Sequence, residues 1–304
     1  MDTNQKEYFI SQILNLKKIY NIAILAHNYQ SCDIQDVADY VGDSLELAKI
    51  AFQISNKIIA FCGVRFMAES AAIICPEKEI LIPDPSAGCA LADDFSLSQL
   101  QQLRGQHPDA AVVCYINSSA KIKAESDICC TSANAVKIVN SLKKYKKIIF
   151  IPDCNLGSYV SLHTEKKIIL TSTTCPVHNN LAKEDLIKAI EKYPDAEFIA
   201  HPECSPEILE YARCISSTSG MARYIEKSGS KSFIIGTEQG MIYVLSKKFP
   251  ECRFYLPSNL LCSDMKLITL PKLLKCLKDK SPIVTVPIEL KKKAGHALFA
   301  MMEV

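Results

Sequence analysis

The chain has 304 residues, of which 48% are apolar and 22% are charged, and its formal net charge is +2. This composition is typical of a globular protein with a sizeable core, built as one large domain or as two or three small ones. The lysines are scattered rather than gathered into one stripe, so the charge pattern excludes an obvious nucleic-acid partner.

The first predicted element is an amphipathic helix at the N-terminus, in MDTNQKEYFISQILNLKKIY. It lacks the uninterrupted apolar core of a signal peptide. No apolar run in the chain reaches the roughly 18 residues of a membrane span, so no membrane partner is expected. We therefore expect a cytoplasmic protein whose 14 cysteines stay reduced.

Three stretches of the chain share one pattern. HPDAAVVCYINSS (107–119) and YPDAEFIAHPECS (193–205) each follow a predicted helix and lie 86 residues apart, and YNIAILAHNYQS (20–31) is a weaker third copy. Each copy contains an apolar strand that ends in polar residues. When the strand ends are aligned, these residues fall in register: His27, Tyr115 and His201, and two positions later Tyr29, Asn117 and Glu203.

The register continues downstream of each strand. Seventeen residues after the first polar residue of each copy stands a hydroxyl, in Ser44, Ser132 and Thr218. Each precedes a helical pattern, so each is predicted to be an N-cap. A later strand in each copy is followed by Cys89, Cys175 or Cys262, spaced by 86 and 87 residues. The regular spacing of the cysteines is weak evidence by itself. The shared positions of the polar residue, the hydroxyl and the cysteine together favour a triplication of one unit.

The alternation of strands and helices within each copy predicts a parallel α/β fold. We expect three similar small parallel-sheet α/β domains in a pseudo-threefold arrangement around a central site. The first repeat with the N-terminal helix would span 1–105, the second 106–192, and the third with the C-terminal helix 193–304. Because ligands bind beyond the carboxyl ends of parallel strands, the polar residues and the cysteines would converge on the centre.

Three convergent cysteines suggest a metal centre, although any one of them could simply pack in the core. A closed zinc site needs four ligands and usually a C-x-x-C pair, which this chain lacks. Three thiolates instead suit a [4Fe–4S] cluster with one iron left open as a Lewis acid. Gly88 would let the backbone approach such a cluster closely.

The hydroxyls at the three helix starts, with His27, His201, Tyr115 and Asn117, are donors suited to the carboxylates or phosphate of a small polyanion. Taken singly, a strand-end histidine or a serine cap is more often structural. Glu203 is an acid among donors and is a candidate general acid or base, and Tyr29 is a second proton donor.

Twelve stretches of the chain resemble, in the same order, the quinolinate synthase family, the iron–sulfur enzymes of de novo NAD biosynthesis. They are LAHNYQ, VADYVGDSLELAK, FCGVRFMAES, AGCALADD, YINSSA, CTSANAV, PDCNLGSYV, CPVHN, AHPEC, STSGM, GTEQGM and LCSDMK. The resemblance implies three pseudo-symmetric α/β domains. It also implies a transferase that condenses iminosuccinate with dihydroxyacetone phosphate to form quinolinate, phosphate and water.

By motif match, the resemblance implies that Cys89, Cys175 and Cys262 hold the [4Fe–4S] cluster. It implies Tyr29, Glu203 and His201 as catalytic residues, the first two moving protons. The implied substrate-binding residues are His27, Ser44, Tyr115, Ile116, Asn117, Ser132, His201, Pro202, Glu203 and Thr218. His178 either orients groups of the site or is a plain surface histidine.

Two other functions fit parts of the pattern. One is a different three-cysteine [4Fe–4S] enzyme, the terminal reductase of the non-mevalonate isoprenoid pathway, which would need an electron donor. The other is a non-catalytic iron–sulfur or zinc sensor, which would not need the anion-binding hydroxyls. On the quinolinate synthase interpretation, a transient contact with an aspartate oxidase that supplies the unstable imine is a further hypothesis about partners.

Overall fold

The computed structural model describes residues 2–304; Met1, where the predicted first repeat begins, lies outside the described residues. The described chain contains three separate four-stranded sheets in which all strands run parallel. The strands are β1 Ile22–His27, β2 Tyr40–Gly42, β3 Ile58–Cys62, β4 Glu79–Leu81, β5 Ala111–Tyr115, β6 Ile128–Cys130, β7 Lys147–Ile151, β8 Lys167–Ile169, β9 Glu197–Ala200, β10 Cys214–Ile215, β11 Ser232–Gly236 and β12 Arg253–Tyr255.

Helices connect and cover these strands. They are α1 Thr3–Ile19, α2 Cys32–Val37, α3 Ser44–Gln53, α4 Arg65–Ile74, α5 Ala90–Asp93, α6 Leu97–Gln106, α7 Ala120–Ala124, α8 Ala135–Ser141, α9 Cys154–Ser161, α10 Pro176–Asn179, α11 Lys183–Lys192, α12 Pro206–Leu209, α13 Thr218–Ser228, α14 Gly240–Lys248, α15 Ser263–Lys266, α16 Leu270–Asp279 and α17 Ile288–Glu303. The predicted helices before the second and third repeats are α6 and α11.

The three sheets have the same strand order: β2-β1-β3-β4, β6-β5-β7-β8 and β10-β9-β11-β12. The predicted class, α/β with three similar small parallel sheets, is confirmed. We call the sheets with their connecting helices the first, second and third lobes. The sequence pattern predicted three strands in each copy, and each sheet has four. The additional strands are β2, β6 and β10, which are only two or three residues long.

The predicted N-caps are wrong by one residue in two lobes. Asp43 caps α3 by accepting the N–H groups of Leu45 and Glu46, and Ser217 caps α13. Ser44 and Thr218 are therefore the first helical residues. In the second lobe α8 begins only at Ala135, with Asn134 as its N-cap, so Ser132 lies in the preceding turn. In the first and third lobes a carboxylate or hydroxyl one position earlier accepts the cap N–H groups, so the hydroxyls of Ser44 and Thr218 are not used as caps.

The C-terminal segment returns to the first two lobes. Helix α16 packs on α1, and α17 packs on α4, α7 and β6, although this segment was predicted to belong with the third repeat. The exact repeat boundaries stay a prediction. One apolar core runs through the first and second lobes, a smaller one lies between β1, α1 and α16, and the third lobe has two smaller cores of its own. No helix among residues 2–304 is long and apolar enough to cross a bilayer.

Candidate functional site

The three lobes surround a cavity of about 340 Å³. Its wall is formed by the ends of β1, β5 and β9 and by the loops that follow the last strand of each sheet. All of the residues predicted for the site line this cavity except Pro202, which is buried beside it. The lining residues among them are His27, Tyr29, Ser44, Cys89, Tyr115, Ile116, Asn117, Ser132, Cys175, His201, Glu203, Thr218 and Cys262.

The three cysteines occupy equivalent places. Cys89, Cys175 and Cys262 are each half-buried, and each stands at the N-cap position of a short helix, α5, α10 or α15. Burial raises the pKa of all three thiols, and the negative charge of Glu203 adds to that effect at Cys89 and Cys175. They are the three thiols that line the cavity in residues 2–304. A set of three thiols suits a [4Fe–4S] cluster in which one iron has no protein ligand.

A carboxylate holds each cysteine loop by its backbone. Asp153 accepts the N–H of Cys175 at 3.1 Å, and Glu238 accepts the N–H of Cys262 at 3.1 Å. Both acids are fully buried and directly follow the third strand of their sheet, counted along the chain. In the first lobe, where Val64 occupies the corresponding turn, the partly exposed Asp93 accepts the N–H of Cys89 at 3.1 Å.

Gly88 serves this contact in the first lobe. A Cβ at this position would lie 2.8 Å from Asp93 Oδ2, closer than carbon and oxygen approach without a bond. The glycine therefore makes room for the carboxylate that holds Cys89. The prediction that Gly88 also gives backbone access to a cluster stays a prediction.

A continuous hydrogen-bond chain links Tyr29 to Glu203. The Tyr29 hydroxyl lies 2.6 Å from Thr237 Oγ1, and Thr237 Oγ1 lies 2.8 Å from His178 Nε2. On the other side of the ring, His178 Nδ1 lies 2.9 Å from Glu203 Oε2. If Nδ1–H donates to the carboxylate, Nε2 is free to accept the Thr237 proton. We call these four residues the relay.

The two ends of the relay favour opposite charge states. Burial raises the pKa of the Tyr29 phenol well above its ordinary value, and the charge of Glu203 raises it further, so Tyr29 holds its proton. Burial also opposes ionisation of Glu203. Electrostatic attraction to the imidazoles of His178 and His201, with their hydrogen bonds, outweighs that cost and lowers the pKa of Glu203, so it is a carboxylate.

The cavity also carries neutral donors. His201 Nε2 lies 3.1 Å from Ser132 Oγ, and Asn28 donates to Thr218 Oγ1 at 2.9 Å. Burial lowers the pKa of His27 to about 4, against a weaker opposing effect of Asp43, and burial lowers the pKa of His201 as well. Neutral imidazoles and hydroxyls at the sheet ends can therefore bind anions by hydrogen bonds.

Sequence reasoning missed several of these groups. Thr237, Asp153 and Glu238 had no assigned role, although all three follow the third strand of their copies in the stretches PDC and GTE. His178 is 1% exposed and belongs to the relay, so the surface interpretation is wrong. Aligning the turns after the third strands, as was done for the first strands, would have revealed the two buried acids.

The fold and the cavity define a class: a three-lobed α/β protein with a three-cysteine candidate metal centre and a buried hydrogen-bond chain. The family model described as Quinolinate synthetase A protein matches residues 11–303. The chain therefore belongs to the quinolinate synthetase A family, a family of enzymes. This membership decides against the isoprenoid-reductase and sensor interpretations.

Curated relatives agree with this assignment. The chain is 48% identical to a quinolinate synthase of Methanosarcina barkeri, over 99% of both chains. It is 48% identical to quinolinate synthase 2 of Methanosarcina acetivorans, over 96% of this chain and 94% of the relative. It is 46% identical to a quinolinate synthase of Dehalococcoides mccartyi, over 98% of this chain and 99% of the relative.

Proposed function

We propose that the chain is a quinolinate synthase that condenses iminosuccinate with dihydroxyacetone phosphate, releasing phosphate and water, in de novo NAD biosynthesis. One observation carries the proposal: three equivalent cysteines and the relay from Tyr29 to Glu203 line a single cavity. A volume of about 340 Å³ suits small substrates of this kind.

Cys89, Cys175 and Cys262 would hold a [4Fe–4S] cluster, one from each lobe. When bound, the cluster supplies a Lewis-acidic iron that makes a substrate hydroxyl a better leaving group. The buried acids Asp153 and Glu238 fix the backbone of two of the three ligands before any cluster arrives.

The substrates carry carboxylates and a phosphate, which the neutral donors of the cavity would bind. The hydroxyls of Ser44, Ser132 and Thr218 and the side chains of His27, Tyr115 and Asn117 would donate to them, with the backbone of Ile116. Pro202 would act through the backbone by shaping the turn between His201 and Glu203. Binding by neutral donors agrees with the formal net charge of +2, which provides no large basic surface.

The relay would move protons at Tyr29. When the Tyr29 proton passes to Thr237 Oγ1, the proton of Thr237 passes to His178 Nε2. This leaves a phenolate at Tyr29 and an imidazolium at His178, which the Glu203 carboxylate stabilises. The phenolate can then remove a proton from the substrate, and the reverse transfers return one to a leaving oxygen. His201, whose Nδ1 lies 3.2 Å from Glu203 Oε2, would orient that carboxylate.

The direct test is an anaerobic assay of quinolinate formation from iminosuccinate and dihydroxyacetone phosphate by the reconstituted chain. Wild type is expected to form quinolinate without added reductant. Glu203→Gln should retain the iron but lose turnover by about 10²–10⁴-fold, the range typical of acid–base groups. An iron-replete wild type that forms no quinolinate would contradict the proposal.

A transient contact with an aspartate oxidase remains a proposal, motivated by the instability of the imine substrate. If it occurs, quinolinate formation from aspartate by the two enzymes together should resist a scavenger of free iminosuccinate. Full suppression by the scavenger would indicate that the imine passes through bulk solution. Location in the cytoplasm also stays a prediction.

A further inference from the structure

Three different ligand types meet at one point of the cavity wall. Cys175 Sγ, His178 Nδ1 and a carboxylate oxygen of Glu203 all lie within 4.8 Å of one another. The sulfur is 3.3 Å from Nδ1, and Nδ1 is 2.9 Å from Glu203 Oε2. These contacts bring together one cluster ligand and two members of the relay.

Glu203 has unused capacity to bind. Its side chain is 3% exposed, and its second oxygen, Oε1, has no hydrogen-bond partner among residues 2–304. A buried carboxylate oxygen without a partner is costly, so a ligand that satisfies it gains free energy. Glu203 lines the cavity, where such a ligand would enter.

The ligand set and its spacing suit zinc. Zn²⁺ takes thiolate, imidazole and carboxylate ligands, and in a tetrahedron with bonds of 2.0–2.3 Å these donors stand about 3.4 Å apart. The observed separations of 3.3 Å, from Sγ to Nδ1, and 2.9 Å, from Nδ1 to Oε2, are close to that value, and the carboxylate lies within 4.8 Å of Sγ. An open fourth position would hold water.

The surroundings already orient the ligands. His178 Nε2 lies 2.8 Å from Thr237 Oγ1, so the ring can carry its proton on Nε2 and present Nδ1 to a metal. Asp153 holds the backbone of Cys175 from the other side. The His178 ring also stacks on His201, with centroids 4.6 Å apart, which limits its rotation.

We propose that the chain, before its iron–sulfur cluster is installed, binds a single Zn²⁺ through Cys175 Sγ, His178 Nδ1 and the Glu203 carboxylate. Binding deprotonates the Cys175 thiol and releases that proton to solvent, while the imidazole proton of His178 moves from Nδ1 to Nε2 and no electron is transferred. The ion is held by one thiolate, not by the three cysteines.

This site has a consequence that rests on the proposed function. Cys175 would also be a cluster ligand, and Glu203 and His178 belong to the relay. Zinc and the cluster would therefore exclude each other, and zinc-loaded chain would be inactive until the ion is removed. The zinc site itself does not depend on what the enzyme makes.

The binding test uses cluster-free, fully reduced, full-length chain titrated anaerobically with Co²⁺ as a spectroscopic probe, followed by displacement with Zn²⁺. We expect one ion per chain, the visible bands of tetrahedral cobalt, and a charge-transfer band with the intensity of a single thiolate. Cys175→Ser and His178→Ala should weaken binding by more than the roughly 10–100-fold that follows loss of an outer-shell partner.

Matched controls decide which residues hold the ion. Cys89→Ser and Cys262→Ser should bind as wild type does. If all three cysteine variants lose binding together, or if the charge-transfer band has the intensity of three thiolates, the proposed site is wrong. The wild-type spectrum alone distinguishes one thiolate ligand from three, even if a variant fails to fold. Wild type that binds no Co²⁺ or Zn²⁺ would also overturn it.

A second arm separates this proposal from the proposed function. Zinc-loaded chain should take up little iron and sulfide during reconstitution, and a chelator should restore uptake. If zinc-loaded chain takes up iron and sulfide normally while the zinc stays bound, the mutual exclusion of zinc and cluster is wrong, but the zinc site is not. A chain that binds zinc as described but forms no quinolinate after full reconstitution would refute the proposed function and leave the zinc site standing.

Discussion

The first and third lobes share a local turn at the cavity but place side chains of different chemistry there. His27 Nδ1 lies 3.2 Å from the backbone nitrogen of Tyr29, and His201 Nδ1 lies 3.4 Å from the backbone nitrogen of Glu203. The same local turn thus places a phenol in one lobe and a carboxylate in the other. The repeated fold supplies equivalent positions, and single residues at those positions give the first lobe a phenol and the third lobe a carboxylate.

The cysteine loops differ in a second way. Cys262 in the third lobe is held by Glu238, which is fully buried, whereas Cys89 in the first lobe is held by Asp93, whose side chain is 52% exposed. Water can replace Asp93 but cannot reach Glu238. The third lobe therefore depends more heavily on its carboxylate than the first lobe does.

The largest effect is expected at the donor end of the relay. Tyr29→Phe removes the hydroxyl that reaches Thr237, so turnover should fall by about 10²–10⁴-fold with iron content unchanged. Tyr8→Phe, at an exposed position of α1, is the matched control and should behave as wild type. If Tyr29→Phe keeps most of its turnover, the first lobe does not supply the proton-donating group through Tyr29.

The next effect concerns the buried carboxylate of the third lobe. Glu238→Ala leaves the N–H groups of Gly240 and Cys262 without an acceptor. Each unsatisfied buried group costs about 1–3 kcal/mol, so the free energy of unfolding should fall by about 2–5 kcal/mol. Urea unfolding of the cluster-free chain measures this. A loss below about 1 kcal/mol would mean that water reaches these groups.

A smaller effect is expected from pH. Burial lowers the pKa of His27 to about 4, whereas the unfolded histidine titrates near its ordinary value of 6.5. Between those values the unfolded chain binds the proton and the folded chain does not. This contribution to stability is therefore complete above pH 6.5 and is lost as the pH falls towards 4, amounting to about 3 kcal/mol.

The His27→Asn variant isolates that contribution. Its free energy of unfolding should fall less steeply than that of wild type between pH 6.5 and 4. His201→Asn is the comparison from the third lobe, where Glu203 opposes the lowering of the histidine pKa, so its effect on the slope should be smaller. Parallel pH curves for wild type and His27→Asn would contradict the buried neutral state of His27.

The smallest effect is expected at Asp93. Its carboxylate is partly exposed, and its ion pair with Arg65 spans 3.4 Å between half-exposed groups. Asp93→Ala should therefore lower the free energy of unfolding by less than about 1 kcal/mol. A loss as large as that of Glu238→Ala would show that the two cysteine loops are held equally.

The sequence predicted the parts of this structure that recur along the chain. The offsets of His27, Ser44 and Cys89 recur in the other copies, so the fold class and most residues around the cavity followed from aligning the copies, whereas Ile116 came only from the family resemblance. The relay could not be predicted in this way, because Tyr29, His178 and Thr237 come from different lobes and share no local spacing. Caps were misplaced because Asp43 and Ser217 compete with the neighbouring hydroxyls for the same N–H groups.

The central claim is that one cysteine from each lobe holds a single iron–sulfur cluster. It is tested most directly by iron and acid-labile sulfide content after anaerobic reconstitution of Cys89→Ala, Cys175→Ala and Cys262→Ala, with the exposed Cys32→Ala as control. We expect the control to keep the iron, sulfide and broad brown absorbance of wild type, and each of the other three variants to lose them. Wild-type iron and sulfide in any of those three would contradict the account.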